Sequence, residues 1–122
     1  MKAGIRVALC LAAVAAFVAV ASTPAGASGP AKSKCGTGSV KGADYVYKLS
    51  AHNLGCDRAA KLATKYNRCR HDRGGARAKC PSVGGYDCTT KKGDSSPEIY
   101  QATGKCTSGS KKFVEVFGEL TH

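Results

Sequence analysis

Six cysteines downstream of an apolar N-terminal segment constrain this chain more than any other feature. They are Cys35, Cys56, Cys69, Cys80, Cys88 and Cys106. An even set in a short exported chain reads as a disulfide framework. A metal cluster would call for ligand pairs two to four residues apart. Cys80 and Cys88 are the closest pair and have seven residues between them. Cys-x-x-Cys is absent, so neither a zinc module nor a thioredoxin-like redox motif fits. No metal and no cofactor is expected.

The export signal is legible at the start of the chain. Lys2 and Arg6 precede an unbroken apolar run from Val7 to Ala21. That run is shorter than the roughly 20 residues that span a bilayer. A small-residue segment ending in Ala25-Gly26-Ala27 follows, with Ala19-x-Ala21 as a second cleavage candidate. Residues 1–27 are read as a signal peptide, and Cys10, the seventh cysteine, falls inside it. Residues 28–34 read as a flexible leader, and 35–122 as a single disulfide-rich secreted domain expected to act as a monomer. Cleavage near Ala27 also removes Lys2 and Arg6, which lowers the net charge from +11 to +9.

Six cysteines allow fifteen pairings, and sequence alone does not choose among them. Locality favours one set. Cys69 and Cys80 flank a Gly-rich basic loop that has no core of its own. Cys88 and Cys106 each sit in strand-like runs separated by a turn region, and Cys35 with Cys56 remains. A bridge contributes roughly 2–4 kcal/mol, mainly by restricting the unfolded chain. That is substantial for a domain whose core alone is marginal.

Periodicity gives the elements. Asp44 to Ala51 alternates, with Tyr45, Tyr47, Leu49 and Ala51 expected on the core side of a half-buried strand. Cys56 to about Arg70 takes helical spacing through Cys56, Ala59, Ala63, Tyr66 and Cys69, with Arg58, Lys61 and Lys65 opposite. Gly85–Thr90 and Glu98–Ala102 read as short strands. Lys111–Phe117 is the last strand; it is apolar on both faces, which leaves its inward side open. The expected fold class is α+β: a small disulfide-stabilised antiparallel sheet of about four strands with one amphipathic helix packed on it.

These motifs together resemble a group of small secreted cysteine-rich proteins of high-GC Gram-positive bacteria. The shared signatures are a Cys-x-x-Ala helix start (Cys56–Ala59), a Gly-aromatic-x-Cys strand (Gly85–Cys88) and a Cys-x-x-Gly turn (Cys106–Gly109). The resemblance implies export and a four-cysteine frame, with Cys69 and Cys80 as an added pair. The group has no assigned activity, so no site residue follows from it.

Charge points to a partner class. Arg58, Lys61, Lys65, Arg68, Arg70, Arg73, Arg77 and Lys79 cluster on the helix and the loop after it. Arginine forks suit phosphate and sulfate oxygens, and contacts of this kind bind salt-sensitively and without sequence preference. The expected partners are anionic polymers such as teichoic acid, glycans or nucleic acid, or an anionic membrane surface. An alternative makes the 69–80 loop a recognition loop of a protease inhibitor or toxin-like effector, with Arg73 or Arg77 as its main contact. The one enzyme reading is a small basic ribonuclease, needing His52, His71 and Lys41 or Lys79 brought together for acid–base chemistry. Gly-x-Ser-x-Gly and His-Glu-x-x-His are absent, and the eight acids show no paired arrangement in the sequence.

Overall fold

The computed structural model describes residues 32–121. The expected signal peptide, the start of the leader and His122 lie outside the described residues. Strands β1 (Ser33–Cys35) and β2 (Tyr45–His52) precede α1 (Cys56–Asp72), the one helix among the described residues. Strands β3 (Ser82–Val83), β4 (Tyr86–Lys92), β5 (Ile99–Ser108) and β6 (Lys111–Leu120) follow. All pair antiparallel in one sheet of order β1-β2-β6-β5-β4-β3. Among the described residues no helix is long and apolar enough to cross a membrane.

The α+β class holds, but the sheet has six strands rather than about four. The two extra strands are edges of three and two residues, too short to show a period of two. Because β1 begins at Ser33, Ser33 and Lys34 belong to the sheet and not to a leader: they pair with Ala51 and Ser50. The helix also runs two residues past Arg70, to Asp72.

Helix α1 opens at Gly55 without a side-chain cap, with Asp57 in its first turn and Arg70 and His71 in its last. Both charge placements agree with the helix dipole. Its ends are fastened covalently. Cys35–Cys56 ties its first turn to β1, and Cys69–Cys80 ties its last turn to the segment before β3. Cys88–Cys106 crosses directly opposed positions of β4 and β5. These are the three pairs that locality favours. Three bridges in so small a domain fit an oxidising, extracellular-type environment.

Between helix and sheet, Ala59, Leu62, Ala63 and Tyr66 pack against Leu49, Ala51, Ala102, Phe113 and Phe117. Gly104 makes this contact possible. A Cβ there would sit 2.6 Å from the Tyr66 ring, so only glycine lets the tyrosine lie against β5. The register of β6 settles its inward side: Phe113, Glu115, Phe117 and Glu119 face the helix, while Val114 and Val116 face outward.

Tyr45 and Tyr47 contradict the expectation that they are core. They are 43% and 46% exposed. An irregularity between Val46 and Lys48 shifts the pairing of β2 on β6. Val46 therefore joins Leu49 and Ala51 against the core, and both tyrosines are turned out, stacked on each other at 6.2 Å. A bulge of this kind reverses the alternation that sequence reading relies on.

Candidate functional site

Four basic residues of α1 form one continuous outward stripe. Arg58, Lys61, Lys65 and Arg68 recur at intervals of three and four, which places them on one face of a helix; all four are exposed. The stripe forms one wall of a groove of about 530 Å³, whose other wall is the segment at Ser39 and Lys41. Ala60 and Thr64 line its floor, and Asp57 is its one acid.

Lys41 enters this groove because two helix side chains hold its backbone. Its N–H donates to Thr64 Oγ1 at 3.0 Å, and its carbonyl accepts from Asn67 Nδ2 at 3.0 Å. Gly42 follows at φ +87°, 3.0 Å (as a built Cβ) from the Asn67 Cβ. A side chain there would be both strained and crowded. Five cations thus converge on one concave strip. The sequence put four of them in the basic cluster and Lys41 only in the ribonuclease set, because Thr64 and Asn67, which hold it here, lie more than 20 residues away.

The remaining predicted cations are dispersed. Arg73, Arg77 and Lys79 are exposed on the connection after the helix, where the Arg77 guanidinium lies 5.4 Å from the Tyr100 ring centre. Arg70 is a correction. It is completely buried and cannot meet a polymer. Its Nη2 donates to Glu119 Oε1 at 2.8 Å and to Asn67 Oδ1 at 2.9 Å, and its Nη1 donates to the Ala76 carbonyl at 2.9 Å. Its guanidinium also lies 3.8 Å from the Phe117 ring centre, within cation–π range. Arg70 sits at an inward helical position, where a buried cation is retained only if paired and hydrogen-bonded.

Around Arg70 is a buried polar cluster that sequence reading missed. Asn67 Nδ2 donates to Glu115 Oε1 at 2.7 Å. Glu119 Oε1 lies 3.0 Å from His71 Nε2, and Glu119 Oε2 accepts from the Asp44 N–H at 3.4 Å. One buried cation faces two buried carboxylates. Glu119 takes the direct ion pair. Burial then pushes Glu115 up to about 7, against the lowering effects of its Asn67 hydrogen bond and of Arg70. Glu115 Oε2 and Arg70 Nε have no hydrogen-bond partner. A signal for this pair exists in the alternation Phe113, Glu115, Phe117, Glu119, since residues two apart in a strand share a face. Both carboxylates are closed off from solvent.

The ribonuclease set is not brought together. His52 pairs with Lys112 at the start of β6, whereas His71 contacts Glu119 near its end. Seven residues of strand separate these positions, roughly 23 Å. The bridged 69–80 segment begins as the last turn of α1 and continues as turns tied down by Arg70, with Arg73 and Arg77 exposed. Among the described residues no group of three or more His, Cys, Asp or Glu side chains is placed to hold a metal ion. Compared with known protein families, curated proteins and solved structures, the chain matches none.

Proposed function

We propose that this is an exported, non-catalytic protein that binds a phosphate-bearing cell-envelope polymer, such as a teichoic acid, along the helix groove. The observation that carries the reading is the convergence of Lys41, Arg58, Lys61, Lys65 and Arg68 on one groove with a single acid, Asp57. Multiple cations spaced along a groove suit a polymer, because each phosphodiester meets a cation without any one site being deep. Arg58 and Arg68 can each grip two oxygens of one phosphate, while the lysines act as point charges. The helix is fixed at both ends by disulfides, so little ordering cost falls on binding.

Retention on immobilised lipoteichoic acid, followed against salt, tests this. Log affinity should fall linearly with log salt concentration, and each of Arg58→Ala, Lys61→Ala, Lys65→Ala and Arg68→Ala should reduce that slope by about 0.7. Retention of the quadruple variant equal to that of the natural protein would overturn the reading.

A further inference from the structure

The second face of the sheet is uncovered, and its side chains are arranged in rows. In one row Lys34 on β1 pairs with Ser50, Ser50 with Val114, and Val114 with Lys105 on β5. In the next, Lys48 on β2 pairs with Val116, Val116 with Thr103, and Thr103 with Lys91 on β4. Each row therefore has a lysine at either side and a neutral middle. The two lysines of a row are three strand spacings apart, about 14 Å. Together the rows make a trough along β6, with an apolar floor and a lysine rim on both sides. All four rim lysines are exposed, and the two valines are half-buried.

One end of the trough is closed by an aromatic wall. The Tyr47 ring folds over Gly118, whose built Cβ would meet the tyrosine oxygen at 2.8 Å. Tyr45 stacks on Tyr47 nearly parallel, at 14°. Beside this wall a depression of about 460 Å³ reaches over Val114 and Val116 to Lys34 and Lys48. The one acid at a register position on this face is Asp87, at the far edge on β4.

We infer that this trough is a second site, on the opposite side of the sheet from the helix groove, and that it takes an acidic polysaccharide of the uronate class. Lysine rims on both sides require a ribbon with anionic groups along both edges. A linear polyuronate is such a ribbon, since successive sugars turn their carboxylates to alternate sides. A single nucleic-acid strand carries its phosphates along one edge only and would leave one rim unpaired. The sugar rings offer C–H faces to the valine floor and to the negative faces of the tyrosine rings, and Ser50 and Thr103 present hydroxyls to theirs. Each lysine meets a separate carboxylate as a point charge, with no need for bidentate geometry. A second copy of the chain would bring lysine against lysine. The chain's own residues 1–31 contain no acid, so they supply no counter-charge either.

The test uses the oxidised protein and, as background, the variant carrying Arg58→Ala, Lys61→Ala, Lys65→Ala and Arg68→Ala. Failure of the helix groove is then separate from failure of the trough. Titration with an oligouronate of alginate should give saturable binding in both proteins. Adding Lys48→Glu and Lys105→Glu should weaken it at least about tenfold, or 1.4 kcal/mol. Tyr47→Ala should weaken it while leaving its salt dependence unchanged. Since Lys48 and Lys105 are exposed, an unaltered near-ultraviolet circular dichroism spectrum checks that the variant is folded. Absence of oligouronate binding, or binding indifferent to the lysine substitutions, overturns the inference. Tighter binding of oligo(dT), lost with the same substitutions, also overturns it, in favour of nucleic acid.

Discussion

The two sides of the sheet use positive charge differently. Every described arginine lies on α1 or on the segment that follows it, whereas the strands carry only lysine. On the helix side one arginine is drawn into the core, where it ties Asn67, Glu119 and the Ala76 carbonyl together beneath the basic groove. On the open side no cation is buried, and the lysines stand in rows over valine and threonine. A fork with five fixed donors can satisfy several buried acceptors at once, and an ammonium on a flexible stem is better left in water. The helix side is therefore where charge and stability are coupled, and the open side is where charge is free of the fold.

Breaking the buried cation should give the largest effect. Arg70→Met leaves Glu119 without its ion-pair partner and Asn67 Oδ1 without a donor. A loss of about 3–5 kcal/mol is expected in denaturant unfolding with disulfides intact. Adding Glu119→Gln should recover part of that loss, because the carboxylate that loses its ion pair is then itself removed. If Arg70→Met alone costs no more than an exposed-lysine substitution on the open face, the contrast between the two sides fails.

Removing the bridge that closes the segment around Arg70 is the next test. Cys69→Ala with Cys80→Ala should cost roughly 2–4 kcal/mol. It should also raise amide exchange in residues 73–79, which the Cys69–Cys80 bridge and the Arg70–Ala76 contact hold. Unchanged exchange there would mean that Arg70 alone orders the segment.

The finest test is pH. Glu115 titrates near 7 in the folded protein, against an ordinary value of 4.5. The folded state then binds more protons than the unfolded state between these values, so stability falls as pH rises through that window. Glu115→Gln removes the titration. Its stability relative to the natural protein should improve by about 2 kcal/mol between pH 5 and pH 8. Parallel pH profiles for the two proteins would show that the carboxyl is not held neutral by burial. Substituting Lys48 or Lys105 on the open face should leave stability within about 0.5 kcal/mol at any of these pH values.

Much of the frame was legible from local patterns. Alanine, leucine and tyrosine at helical spacing gave α1, and the same spacing put Arg58, Lys61, Lys65 and Arg68 on its outer face. Locality favoured two of the bridges, across a loop and a turn, and left Cys35 with Cys56 by elimination; the structure has all three. Sequence reading failed where a residue's fate depends on distant partners. Arg70 resembles its basic neighbours until Glu119, 49 residues away, is brought beneath it. Tyr45 and Tyr47 resemble core residues until the bulge in β2 turns them out.

The sequence by itself therefore determined the class of fold, that the six cysteines form a disulfide framework, and the basic stripe of the helix. Each depends on residues close together in the chain, where spacing maps directly onto a face or a closed loop. Only the tertiary structure decided which side of β6 faces inward, that Lys41 completes the groove, that Arg70 is structural, and that lysines from four strands line up as two rims. These outcomes follow from strand register and, for Lys41, from the helix side chains that hold its backbone. A shift of one residue would exchange the two faces without changing any local propensity.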